Sequence, residues 1–217
     1  MSGLIQRDLL IYFRKYSKIT YIMEAVYFLF FLLFFKGIVG PLTYLLLCSP
    51  VNMSGLPATL KEMDTNYKGM MTVRLLPYTK KEIVKGRFYS AFSCHIFYLA
   101  EMLLYAICHY LIRGTVDLST YFQLFLAGWL VAVLLTTVNL LASFLSGLNA
   151  TMIFYFGSVI LLFVGYLLFL FNINSFDLLV QLTSLSRGWL FLIAGCLDLL
   201  ILLVSYLVCV KRFEKSA

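Results

Sequence analysis

Charge is scarce in this chain. Asp, Glu, Lys and Arg make up only 12% of its 217 residues, against 62% hydrophobic ones. A soluble fold of this size keeps too much surface in water to hide so many apolar groups in one core. A soluble single-domain protein is therefore excluded. The few charges are also absent in blocks: they cluster between apolar runs of about 20 residues, the pattern of bilayer-spanning helices and the short loops joining them.

Other absences narrow the chemistry. The net charge of +7 comes from basic residues at the ends of apolar runs, with no aromatic-basic module for nucleic acid. The five cysteines, Cys48, Cys94, Cys108, Cys196 and Cys209, lie in or beside apolar runs without disulfide or metal spacing and read as small hydrophobes. There are only two histidines, His95 and His109, whose offsets from Glu101 make no metal triad. No H-E-x-x-H, G-x-S-x-G or G-x-x-x-x-G-K-[ST] motif is present, so neither hydrolytic chemistry nor nucleotide binding is expected of the chain itself. The first apolar run lacks a small-residue cleavage site and is expected to stay in the membrane.

What is present is an all-α membrane architecture. Six transmembrane helices are expected at Ile19 to Phe35, Ile38 to Ala58, Tyr89 to Leu111, Thr120 to Phe144, Thr151 to Phe171 and Gly188 to Val210. They form a single membrane domain over 1–217. Residues 1–18 make an amphipathic N-terminal helix, 19–58 spans one and two, 59–88 a cytoplasmic loop, 89–210 spans three to six and 211–217 a tail. In the N-terminal helix Ile5, Leu9, Tyr12, Phe13 and Tyr16 share one face and Arg7, Arg14, Lys15 and Lys18 another, which suits a helix lying on an anionic leaflet. Pro41, Pro50 and Pro57 predict a broken or kinked second span. Leu145 to Ala150, between spans four and five, carries no charge and predicts a very tight turn. For Asn172 to Arg187 a helix dipping into the outer leaflet and an ordinary loop fit equally.

Fourteen of the 17 lysines and arginines fall on one side of these spans, and only Lys36, Arg113 and Arg187 on the other. The positive-inside rule then places both termini in the cytoplasm of a plasma-membrane protein.

The most structured stretch outside the membrane is Met63 to Phe88. Pro77 ends what precedes it, Thr79 and Glu82 have capping-box spacing, and Tyr78 and Ile83 occupy staple positions. Lys80 and Lys81 fall in the first turn, where the helix dipole disfavours cations, so their partner is expected elsewhere, in anionic lipid or an acidic protein groove. Gly86 offers a bend before span three.

The order of an amphipathic helix, two spans, a loop carrying Asp64 and then LLPYTKKEIVKGRF resembles the small ABC-2 type permeases of bacterial ABC exporters. Leu76, Pro77, Thr79, Lys80, Lys81, Glu82, Ile83 and Val84 carry the likeness, and Arg87-Phe88 departs from the lysine-tyrosine often found there. In size and layout the chain resembles permeases of phenol-soluble-modulin and lantibiotic export and immunity systems. The resemblance implies a short cytoplasmic coupling helix between spans two and three, with Leu75, Leu76, Pro77, Thr79, Lys80, Lys81, Glu82, Ile83 and Lys85 docking an ABC ATPase. It also implies a second permease subunit, identical or not, surrounding lipid, and ATP with magnesium in the partner ATPase. The expected cargo is an amphipathic, antimicrobial or toxin peptide, or a lipid-like molecule.

Three acids fall inside apolar spans: Glu24, Glu101 and Asp198. A charged carboxylate at such depth costs about 2.5 kcal/mol or more, which turns these residues toward protein or water. Tyr98, Glu101 and Tyr105 form a polar stripe on span three. In one reading Glu101 accepts hydrogen bonds from both tyrosines and holds helices in register. In another, Tyr98, Glu101, Tyr105 and Asp198 line a translocation path for a cationic amphipath. Outside the ABC reading, a proton-coupled transporter or immunity protein, or a membrane scaffold for a cytoplasmic partner, would use the same acids or the same basic loop.

Overall fold

In a computed structural model the described residues are 2–15, 18–66, 73, 77–114, 116–170 and 186–215. Among them there is no strand. The chain begins with α1 (Ser2–Lys15) and α2 (Lys18–Phe34). Short pieces follow: α3 (Val39–Thr43), one turn of π-helix (Tyr44–Cys48), α4 (Ser49–Ser54) and α5 (Leu56–Asn66). Four long helices complete the chain: α6 (Lys80–Arg113), α7 (Leu118–Leu145), α8 (Leu148–Leu170) and α9 (Arg187–Lys215).

These four are long and apolar enough to cross a bilayer. The expected first span is a helix of 17 residues, and the expected second is the run of pieces from α3 to α5. Its prolines explain the breaks. Pro41, Pro50 and Pro57 each fall in the first turn of a piece, where a missing N–H leaves no intrahelical bond unmade. Ahead of Pro50 the backbone widens into the π-turn, closed by the Ser49 N–H donating to the Tyr44 carbonyl. Ahead of Pro57 it turns at Gly55. The tight turn between α7 and α8 is Ser146-Gly147 alone, with Ser146 Oγ donating to the Ala142 carbonyl at 2.5 Å. Most of Asn172 to Arg187 lies outside the described residues.

α1 packs on α5 and α6. Its buried face is Leu4, Asp8 and Tyr12, one residue per turn, while Ile5, Leu9 and Phe13 are half-buried beside it. The helix therefore rests on protein; of the expected basic side, Arg14 is exposed and Arg7 pairs with Asp8, while the side chains of Lys15 and Lys18 lie outside those described. Leu4 sits against Gly86, where an added Cβ would meet Leu4 Cδ2 at 2.4 Å. α6 runs unbroken through Gly86, so this glycine admits a neighbouring helix and is no bend. The short coupling helix expected to stand apart from span three is likewise absorbed: Lys80 to Phe88 form the first turns of the 34-residue α6.

The bundle centre is formed where α6, α7 and the π-turn meet, with Leu45, Ala91, Met102 and Ala132 fully buried. By contrast Phe34, Ile153, Leu161 and Leu199 are more than 60% exposed, as befits side chains meeting acyl tails rather than water. At the C-terminal end of α6 Arg113 donates to the carbonyls of Leu32 and Leu33, satisfying the last turn of α2.

Gly128 of α7 lies so close to the π-turn that an added Cβ would stand 2.1 Å from the Leu45 carbonyl oxygen. Gly128→Ala should cost about 1–3 kcal/mol and lower the midpoint of thermal unfolding in detergent. Gly157→Ala, with nothing within 4 Å of its added Cβ, should leave that midpoint unchanged or slightly raised.

Candidate functional site

At the N-terminal end of α6 the helix start expected at Thr79 is built as a capping box. The Thr79 N–H donates to Glu82 Oε2 at 2.8 Å and the Glu82 N–H to Thr79 Oγ at 3.2 Å. Pro77 stands exposed at the bend before it, and Leu75 and Leu76 lie outside the described residues. Ile83 and Val84 face the core, while Lys81 and Lys85 point outward, Lys85 lying 5.7 Å over the Tyr89 ring.

The two first-turn lysines find an intramolecular partner. Lys80 Nζ donates to the Glu214 carbonyl at 3.0 Å, and Lys81 Nζ lies 3.7 Å from Glu214 Oε1. Glu214 belongs to the last turn of α9, where orphan carbonyls and the negative dipole end attract cations. The side chains of Lys81 and Glu214 are 69% and 45% exposed, so this pair contributes little to stability and stays accessible.

About two turns further along α6 is a buried charge cluster that motifs and spacing did not assemble. Arg87, 3% exposed, donates through Nη2 to both carboxylate oxygens of Asp64, at 2.8 and 2.7 Å. Its Nη1 stands 3.3 Å from Oδ2 of Asp8, a fully buried aspartate that Arg7 pairs from its own helix at 2.7 Å. Ser90 Oγ donates to the same Asp8 oxygen. Burial raises the Asp64 carboxyl above the usual aspartate range, with the guanidinium working against it. A cavity of about 260 Å³ opens beside the cluster, lined by Lys61, Asp64, Arg87, Phe144 and Phe213 among others.

Within the apolar layer Glu101 is paired, but with a different tyrosine from those expected. It accepts from the Tyr44 hydroxyl of the π-turn, and Tyr44 stacks on Tyr105 with ring centroids 4.0 Å apart. Tyr98 instead shares a hydrogen bond with Tyr12 of α1, and the Tyr105 hydroxyl is buried without a hydrogen bond among the described residues. Glu24 of α2 accepts from Asn52 Nδ2 at 3.1 Å. Asp198 is buried on α9 and makes no hydrogen bond or ion pair among the described residues. Tyr98, Glu101 and Tyr105 thus lie along one helix, α6, apart from Asp198 on α9. His95 meets Thr136 Oγ at 2.9 Å and His109 meets the Tyr121 hydroxyl at 2.5 Å, each a buried side chain holding α6 to α7.

A bundle of apolar helices that encloses carboxylates and exposes a capped basic helix start defines a multi-pass membrane protein of transporter type. The family model for ABC-2 family transporter proteins matches residues 3–214, and the chain belongs to that family. The family implies a permease component that associates with an ABC ATPase. No curated protein and no solved structure matches the chain.

The cluster around Arg87 makes a direct prediction. Arg87→Gln strands the Asp64 carboxylate in a buried site and should cost about 3–5 kcal/mol, seen as a large fall in the unfolding midpoint in detergent. Adding Asp64→Asn to that variant should recover part of the loss, because the uncompensated charge is gone.

Proposed function

We propose that this chain is the permease subunit of an ATP-driven exporter that moves amphipathic peptides or lipid-like molecules out of the cell. It crosses the membrane six times with both ends in the cytoplasm, the first pass made by α2 and the second by the broken run α3 to α5. The skew of lysine and arginine to one side supports this orientation. A second permease subunit, identical or related, completes the path, and the partner ATPase supplies ATP and magnesium.

The observation that carries the reading is the continuity of α6. Its first turn holds the capped basic element Thr79 to Lys85, and the same rod holds Glu101, 19 residues beyond Glu82 and so about 28 Å along the axis. An ATPase docked on Pro77, Thr79, Lys81, Glu82 and Lys85, and on Leu75 and Leu76 before them, pushes one end of a rigid helix. Further along the same helix Glu101 and Tyr105 meet Tyr44 of the π-turn. No hinge has to be invoked between them, and displacement at the cytoplasmic face becomes displacement beside the intramembrane acids. Tyr98 and Asp198 then serve the path from the flanks, Tyr98 through Tyr12 and Asp198 from α9.

The test is purification from the native membrane with its partners. An ABC ATPase should co-purify, and Lys81→Glu combined with Lys85→Glu should lower its substrate-stimulated ATP hydrolysis by about tenfold while the permease stays monodisperse. Unchanged stimulation would remove the docking role from this element. A chain that moves cargo with no ATPase bound would replace the reading with a proton-coupled transporter.

A further inference from the structure

Between α2, the π-turn with α4, and α8 lies a cleft of about 570 Å³ whose walls are almost wholly apolar. Met23, Tyr27, Val51, Ile160 and Phe163 are among the lining residues. This volume is within the roughly 300–1,000 Å³ of small-molecule sites. Among the described residues one carboxylate lines it, Glu24, and no lysine, arginine or histidine does. Glu101 stands behind Tyr44, its hydrogen-bond donor, and is not among the lining residues.

Glu24 is held, but not saturated. Asn52 Nδ2 donates to Oε1 at 3.1 Å, and Asn52 is itself anchored because its backbone carbonyl accepts from the Tyr12 hydroxyl at 3.1 Å. A carboxylate has about four lone-pair positions, so most of its accepting capacity faces the cleft. An acid at membrane depth without a cation is costly, and an incoming ammonium relieves that cost. The rings of Tyr27 and Phe163 among the lining residues add the aromatic surface that attracts organic cations.

We infer that this cleft binds an amphiphilic monocation, an ammonium group on an aliphatic or aromatic body, with Glu24 as the counter-charge and the apolar walls holding the body. The charge complementarity selects this occupant over a neutral acyl chain or the apolar face of a second copy. As a cargo site it rests on the exporter reading; as a binding site it stands without it. Recognition is thereby assigned to Glu24 on α2, ahead of the Glu101 seam.

The experiment is photoaffinity labelling of the full chain in lipid nanodiscs with a diazirine-bearing dodecyltrimethylammonium, adducts being mapped by peptide mass spectrometry. Adducts should concentrate on Met23 to Phe31, Tyr44 to Asn52 and Val159 to Phe163. Unlabelled dodecyltrimethylammonium should compete, and dodecanol and dodecyl sulfate should not. Glu24→Gln should weaken labelling by about tenfold, the scale of losing one charged partner. Equal competition by dodecanol, full labelling of Glu24→Gln, or adducts spread over every lipid-facing helix would overturn the inference. So would absent labelling with cross-links joining two copies through these residues. Because competition by charge is read on the unaltered chain, a Glu24 variant that fails to fold leaves the test decisive. Failure of an ATPase to co-purify would remove the exporter reading and leave the labelling pattern as it is.

Discussion

Arg87 lies in the protein interior between two aspartates that come from two separate helices earlier in the chain. Asp8 is on the N-terminal helix, Asp64 at the end of the broken second segment, and Arg87 two turns into the long helix α6. Burying three charges carries a desolvation cost of several kcal/mol per ion, recovered only with near-ideal geometry and further donors. Here the guanidinium engages both oxygens of Asp64, and Arg7 and Ser90 supply Asp8. The consequence is positional. Arg87 Nη1 meets Asp8 as an ion pair without a hydrogen bond, so sliding or rotating α1 on α6 would separate these buried charges, and the end of α5 is held to the same guanidinium through Asp64. Leu4 against Gly86 and Tyr12 against Tyr98 follow from that register.

The second span shows a different balance. Three prolines would normally cost a continuous membrane helix its internal bonds, and in lipid an unmade backbone bond is dearer than in water. Restarting the helix at each proline removes the cost, and the π-turn that results carries Tyr44 and Cys48. Tyr44 is what joins the two halves of the polar interior, giving its hydroxyl to Glu101 and its ring face to Tyr105. Gly128 allows α7 to approach this irregular backbone so closely that protein, rather than lipid, surrounds it.

How much of this was legible in the sequence depends on how far apart the partners are. The four long helices, the capping box at Thr79, the turn at Ser146-Gly147 and the break in span two all arise from residues a few positions apart, which spacing and turn chemistry report. Tyr44 and Glu101 are 57 positions apart and Arg87 and Asp64 are 23. Nothing local distinguishes Tyr44 from Tyr98 or Tyr105 as the donor to Glu101, and the nearer pair on the same helix was the natural expectation. Asp8 was hidden for a related reason. Helical periodicity counts an aspartate as outward-facing, yet Leu4, Asp8 and Tyr12 recur at intervals of four, and an acid in line with two apolar residues is the one signal that could have revealed it.

The pairing of Lys80 and Lys81 with Glu214 bears on how α6 can move. These lysines sit where the dipole of their own helix repels them, and the C-terminal end of α9 attracts them. The contact is exposed and weak, whereas the Arg87 cluster about two turns further along is buried, so in the proposed docking a partner with an acidic surface would displace Glu214 without disturbing the cluster. In the proposed exporter, a force applied at Thr79 to Lys85 would be resisted first at Arg87, so that α1 and α5 would move along with α6. Tyr12 and Asn52, on α1 and α4, link that unit to Glu24, and a push at the proposed docking end would reach the α2 cleft through hydrogen bonds already in place.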